Sequence, residues 1–233
     1  NPTELTIEAN GLEEVKGLMV SAGREHSCAI FDNLELYCWG FNNMGQLGIG
    51  SKTQQTRPAL VNLPDNHRAT DVSAGGEFTC SILENGSISC WGRNYYGQLG
   101  DGTTNDSSSP VYTLLPQGRT AVAISSGHQH SCAILDNQSL YCWGYEGSGR
   151  LGLGPLSWPY EVTEPTKVQL PQGAIPVQVS AGYQNTCAVM SNGSSYCWGY
   201  NSNGQVEGPV NDLPSSDVNS PIYVQMKEDH KIV

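Results

Sequence analysis

Eight cysteines stand in four pairs, Cys28 and Cys38, Cys80 and Cys90, Cys132 and Cys142, Cys187 and Cys197, each pair ten positions apart and each followed by Trp-Gly. Cysteines at fixed spacing hold a metal, exchange electrons or form a bridge. Zinc knuckles and redox motifs use a Cys-x-x-Cys step, which this chain lacks. A hairpin that sets the two cysteines opposite each other explains the spacing better. In the second copy it pairs residues 80 with 90, 82 with 88 and 83 with 87, leaving Glu84-Asn85-Gly86 as a three-residue loop. That loop takes a left-handed residue at its last position, supplied by Gly86 and by Gly193 in the fourth copy. Leu34 and Gln138 fill the slot in the other two and suit it less well. Facing Cα atoms at about 4.5 to 5.5 Å lie within the roughly 4.4 to 6.8 Å that a disulfide accepts. Disulfides are the reading this favours, each contributing about 2.5 kcal/mol through loop entropy and implying an oxidising compartment. Reduced cysteines packed as small apolar residues are the alternative.

Other reactive types are scattered. His26, His128 and His130 precede the first cysteine of their copies, and "GHQHSC" has the look of a ligand pair, but the slot of His26 and His130 holds Phe78 and Asn185 elsewhere. They are read as packing residues. No serine or cysteine nucleophile is partnered with His and an acid, no glycine-rich phosphate loop opens a helix, and the carboxylates are spread singly. We expect no catalytic residue, metal or cofactor. Asn85, Asn137 and Asn192 form Asn-x-Ser sequons at one hairpin tip, and Asn105 forms another in a connector; they are N-glycosylation candidates, although Asn-Gly also suits a tight turn.

The elements that carry the cysteines recur. "VSAGREHSCAIFDNLELYCWGFNNMGQLGIG" has three gap-free counterparts with first cysteines 52, 52 and 55 positions apart, joined by variants of one connector such as "RPALVNLPDNHRATD". Over 233 residues we draw one domain, 1–233, with repeats near 4–56, 57–108, 109–163 and 164–219 and a partial connector at 220–233. With 27 Gly, 13 Pro and no sustained helical period, each repeat reads as short strands and turns, and the class is all-β. The hairpin register puts Cys28, Ile30, Leu36 and Cys38 on one face and Ser27, Ala29, Tyr37 and Trp39 on the other. Both faces carry apolar bulk, so the sheets must stack, as radial β-propeller blades do, with each Trp packing on the next blade. The formal net charge of −11 argues against nucleic acid and anionic lipid, and no apolar run is long enough to span a bilayer.

V-S-A-G, the Cys-Ala-Ile strand, Cys-Trp-Gly and the Gly-Gln-Leu-Gly-x-Gly that follows resemble the repeat of the regulator of chromosome condensation family. The resemblance covers nearly the whole chain and implies β-propeller blades. The family builds seven, so four copies imply a partial or few-bladed propeller, completed by further repeats or by self-association. It embraces nucleotide exchange factors, a secreted β-lactamase inhibitor and crinkly-type receptor ectodomains, and so implies little about function. Cysteine pairs in every copy are foreign to its intracellular members and similar to the crinkly-type ectodomains.

What changes at fixed frame is the segment after Trp-Gly: "FNNMG", "RNYYG", "YEGSG", "YNSNG". A constant core with variable rim loops describes a binding surface. Phe41, Tyr95, Tyr96, Tyr145, Trp158 and Tyr200 are its candidate anchors, since aromatic side chains dominate contact energy. The expectation is a secreted or cell-surface module that binds a protein or glycan without chemistry. A building block of an extracellular coat, filament or appendage is the alternative. Guanine-nucleotide exchange follows only from the family resemblance.

Overall fold

The computed structural model describes residues 6–7, 15–155, 160–206 and 217–224. Alternating strands and glycine-marked turns give four antiparallel sheets, each a meander in chain order. The first holds β1 (Thr6–Ile7), β2 (Val15–Ala22), β3 (His26–Phe31), β4 (Leu36–Gly40) and β5 (Gln55–Leu60). The second holds β6 (Ala69–Ala74), β7 (Phe78–Leu83), β8 (Ile88–Gly92) and β9 (Ser107–Tyr112). The third holds β10 (Ala121–Ser126), β11 (His130–Leu135), β12 (Leu140–Tyr145) and β13 (Glu161–Lys167). The fourth holds β14 (Pro176–Ala181), β15 (Asn185–Met190), β16 (Ser195–Gly199) and β17 (Val218–Tyr223). Residues 56, 108, 163 and 219, where the sequence repeats were divided, fall inside the outermost strands rather than between sheets.

In every hairpin the cysteines face each other and are bonded, with Cα atoms 4.1 Å apart. The loop fixes this spacing. Leu83 N–H donates to Ser87 O at 2.9 Å, and antiparallel alternation then makes 80 and 90 a non-hydrogen-bonded pair, the closer kind. Leu34 (φ 62°) and Gln138 (φ 63°) adopt the left-handed backbone that Gly86 (φ 77°) and Gly193 (φ 82°) take in the same slot. The register, enforced by the disulfide and the three-residue loop, overrides the preference of these two side chains.

The sheets stack in chain order. Cys28, Ile30, Leu36 and Cys38 of the first sheet bury Val72 and Trp91 of the second, and equivalent clusters join second to third and third to fourth. Each seam repeats the same bonds. Trp91, Trp143 and Trp198 donate their indole N–H to the backbone oxygens of Gln46, Gln98 and Arg150 at 2.9, 2.8 and 3.0 Å. Ser21, Ser73 and Ser125 hydroxyl oxygens accept from Ala74, Ser126 and Ala181 N–H. A Cβ on Gly48, Gly100 or Gly152 would collide with the indole, which explains the second glycine of Gly-Gln-Leu-Gly. The tryptophans therefore pack on the preceding sheet, not the next as the sequence reading had it. A strand's register says which residues share a face but not which neighbour that face meets. Trp39, in the first sheet, is only half-buried, where its three counterparts are fully enclosed.

Because successive strands run in opposite directions, the turns after the inner strands and the long loops after Cys-Trp-Gly share one end of the molecule, the rim. The hairpin tips and the connectors between sheets share the other.

Candidate recognition rim

Two rings of residues, one from each repeat, decorate the rim. The inner ring is Arg24, Gly76, His128 and Tyr183, directly after the last glycine of Val-Ser-Ala-Gly and its variants. It lines a funnel of about 540 Å³ between the four inner strands. The outer ring is Phe41, Arg93, Tyr145 and Tyr200, directly after Trp-Gly. The backbone N–H groups of these four donate to Glu25, Glu77, Gln129 and Gln184 O, each at 2.9 Å. One backbone bond thus holds four different side chains in equivalent places.

The aromatic residues concentrate across the seam between second and third sheets. Tyr95 stands edge-on to Tyr96 with ring centroids 4.8 Å apart, Tyr96 lies over Tyr145 at 4.3 Å, and Tyr145 meets Tyr160 at 6.3 Å. The guanidinium carbon of Arg150 sits 4.6 Å from the Tyr145 centroid, a cation–π contact. A Cβ on Gly147 would strike the Tyr145 ring, so glycine there leaves room for the ring. Tyr95 is 61% exposed and Tyr160 40%, leaving ring edges for a partner. In the funnel His128 stacks on Tyr183 at 4.1 Å. Burial, then Arg24, pushes the His128 pKa below its usual value. Arg93 pairs with Glu77, which raises its pKa further.

Beneath this cluster the third repeat departs from its siblings. Asn42, Asn94 and Asn201 accept a backbone N–H through Oδ1, from Leu47, Leu99 and Val206. Glu146 stands in that slot, accepts from Leu151 through Oε2 at 2.7 Å, and leaves Oε1 buried without a partner. Burial raises its pKa to about 7.

Of the six residues expected to bind, Tyr95, Tyr96 and Tyr145 come together. Phe41 and Tyr200 hold equivalent places on the first and fourth sheets, with Tyr200 beside Tyr183 in a second recess, and Trp158 lies outside the described residues. Sequence reasoning missed Tyr160, Arg150, Arg24 and Tyr183. Arg24, His128 and Tyr183 share one variable column, a signal that was present but unused. The histidines divide accordingly. His26 and His130 are buried packing residues that bond Thr79 and Thr186 at 2.7 and 2.8 Å, whereas His128 faces the funnel.

The tip end is different. Asn85, Asn137 and Asn192 are exposed, and each accepts through Oδ1 from the N–H and hydroxyl of the serine two residues on. Asn105 is exposed in a rim loop. Among the described residues no cluster of three His, Cys, Asp or Glu side chains could hold a metal, and no helix is long and apolar enough to cross a membrane.

Comparison with known proteins agrees with this architecture. A family model described as the Regulator of chromosome condensation (RCC1) repeat matches residues 35–82, 85–134 and 137–189, and a second of the same description matches 20–46, 69–98, 121–150 and 177–205. The chain belongs to this repeat family. The first frame takes the outer strands of one sheet with the inner strands of the next. The ultraviolet-B receptor UVR8 of Arabidopsis thaliana is 31% identical over 88% of this chain and 46% of its own length. The probable E3 ubiquitin-protein ligase HERC4 of Homo sapiens is 34% identical over 84% of this chain and 18% of its own. The chain thus spans less than half of these relatives. The yeast RCC1 protein Prp20, solved bound to Kap60, superposes with a TM-score of 0.75 at 22% identity over 92% of this chain and 50% of its own, a likeness of fold. The crinkly-type resemblance is weaker in structure, with a TM-score of 0.49 for the Physcomitrella patens CR4 ectodomain.

Proposed function

We propose that the chain is a non-enzymatic recognition module that binds a protein partner through its rim in an extracellular or cell-surface setting. The observation that carries this is the outer ring, where one repeated backbone bond presents Phe41, Arg93, Tyr145 and Tyr200. Around Tyr145 the variable loops assemble four tyrosines and an arginine, residue types that supply most binding energy at protein interfaces. Prp20 was solved with a protein partner, and UVR8 is a receptor, which agrees with a protein-binding use of this fold. The four disulfides support an oxidising compartment and speak against a cytosolic GTPase partner.

The test compares three immobilised proteins: wild type, a rim variant (Tyr95→Ala, Tyr96→Ala, Tyr145→Ala) and a tip variant (Asn85→Gln, Asn137→Gln, Asn192→Gln). Ligands retained from an extracellular fraction are measured by quantitative mass spectrometry. Wild type and tip variant are expected to retain the same proteins, and the rim variant to lose them by roughly tenfold or more. Equal retention by the rim variant sinks the reading. Intact mass before and after reduction tests the compartment separately. A gain of about eight hydrogens is expected.

A further inference from the structure

The wall of the funnel is one tight turn repeated in each sheet. A Cβ on Gly23, Gly75 or Gly127 would strike the carbonyl oxygen of Gly75, Gly127 or Gly182, so successive turns touch through their backbones. Arg24, Gly76 and His128 N–H groups donate to those same three oxygens at 3.3, 3.2 and 3.2 Å. The inner ring is therefore ordered Arg24, Gly76, His128, Tyr183 around the funnel. Its second member has no freedom to grow, because a Cβ on Gly76 would collide with His128 O and Cδ2. The ring thus has a gap without a side chain between Arg24 and His128.

The donors around this gap lack an acceptor. Arg24 is exposed, and among the described residues it enters no ion pair. Glu77, the acid nearby, is engaged with Arg93, and Arg150 is held by Gly147 O and the Tyr145 ring. His128 stacks on Tyr183 and is disfavoured as a cation first by burial and then by Arg24; Glu77 acts the other way, and Arg150 and Arg93 add to Arg24. Three arginines against one carboxylate is a local excess of positive charge on a chain with 22 acidic and 11 basic residues. Ser126 adds an independent sign. It lines the same funnel in a column that is otherwise Ala22, Ala74 and Ala181. Its N–H makes the seam bond to Ser73 that the alanines also make to Ser21 and Ser125, so the hydroxyl is surplus to the fold. Ser126 is 9% exposed and its Oγ is buried without a partner, a costly arrangement unless something outside the chain completes it.

We propose that the gap above Gly76 is a carboxylate-binding subsite, in which Arg24, His128 and the Ser126 hydroxyl hold an acidic group that a protein partner inserts into the funnel. A carboxylate only accepts hydrogen bonds, and every group offered here can donate: a guanidinium, an imidazole N–H and a hydroxyl. One negative charge suits one unengaged guanidinium, whereas a phosphate dianion would call on Arg93 or Arg150, which are already engaged. The three turns are bonded to one another, so the subsite is the same whatever lies beyond either end of the sequence. It rests on the rim being the recognition face, and names the chemistry that enters at its centre. The carboxylate belongs to an Asp or Glu side chain or to a chain terminus.

The test follows the His128 ring resonances of the whole chain, assigned with His128→Gln, during titration with four probes. These are acetyl-Ala-Glu-Ala-amide, acetyl-Ala-Ala-Ala with a free carboxylate, acetyl-Ala-Gln-Ala-amide and inorganic phosphate. A saturable shift with a Kd on the order of 1 mM is expected from at least one carboxylate peptide, the tighter of the two identifying the source, and none from the Gln peptide. At saturation the His128 ring should titrate at a higher pH than in the free protein, because the bound anion favours its protonated form. Arg24→Gln should weaken binding about tenfold and Ser126→Ala about threefold. The second variant restores the alanine of the other three repeats, so its effect does not come from misfolding. No saturable shift with either carboxylate, equal binding of the Gln peptide, tighter binding of phosphate or unchanged affinity in Arg24→Gln overturns the subsite. Unchanged affinity in Ser126→Ala overturns the part given to the hydroxyl. The variant with Tyr95, Tyr96 and Tyr145 replaced by Ala should bind the peptides as wild type does. If that variant loses its protein ligands while no peptide enters the funnel, the recognition face stands and the carboxylate subsite falls.

Discussion

The seams between sheets and the rim above them come from the same repeat, yet they respond to variation in opposite ways. At the seams Trp91, Trp143 and Trp198 make one bond in one place, because a buried indole N–H without an acceptor is costly and the glycine beneath it cannot grow. At the rim Phe41, Arg93, Tyr145 and Tyr200 share a backbone bond but not one side-chain type. Stability resides where side chains are enclosed on both faces. Specificity is free to change where only the backbone is held.

The largest effect should come from breaking a seam. Trp143→Ala is expected to cost about 3 to 5 kcal/mol in denaturant unfolding, while Trp39→Ala, on a face that no described residue covers, costs about 1. Equal costs would mean that the first sheet is covered after all. Replacing Cys132 and Cys142 together by Ala removes one staple and should cost about 2.5 kcal/mol.

A smaller, pH-dependent effect separates the third repeat from its siblings. The folded Glu146 pKa of about 7 lies above the ordinary carboxylate value of 4.5. Between those values the native state holds more protons than the unfolded state, so its contribution to stability falls as pH rises through the window. Glu146→Gln should therefore match wild type near pH 4.5 and exceed it by about 3 kcal/mol at pH 8. His26 and His130, lowered by burial to about 4 and about 3, act in the other sense and destabilise the fold as pH falls below 6.5. They are common to both proteins, so the difference curve isolates Glu146. Last, Gln138→Gly relieves an exposed left-handed residue and should raise stability by about 0.5 to 1 kcal/mol. A loss would show that the side chain makes a contact outweighing its backbone strain.

Much of the fold was legible because its rules are local. The ten-residue cysteine spacing, period-two alternation and Gly86 suffice for the hairpin register, and the four-fold repetition implies stacking. The direction of stacking was not legible, since Trp39 and its counterparts could meet either neighbour until Gly48, Gly100 and Gly152 were seen beneath an indole. Part of the rim was readable from variation at a fixed frame, which picked out Tyr95, Tyr96 and Tyr145. Tyr160 and Arg150 join them through long-range packing across a seam, which no spacing rule reports. His130 opens β11 and packs inward, while His128 lies in the bend before the strand, where period-two alternation no longer applies and the side chain faces the funnel.

The four bonds from Phe41, Arg93, Tyr145 and Tyr200 N–H to the turn carbonyls have a consequence for inheritance and for engineering. Each is a socket indifferent to what is plugged into it, because every amino acid except proline brings the same N–H. A lineage, or a library, can rewrite the side chains at these positions without renegotiating the fold.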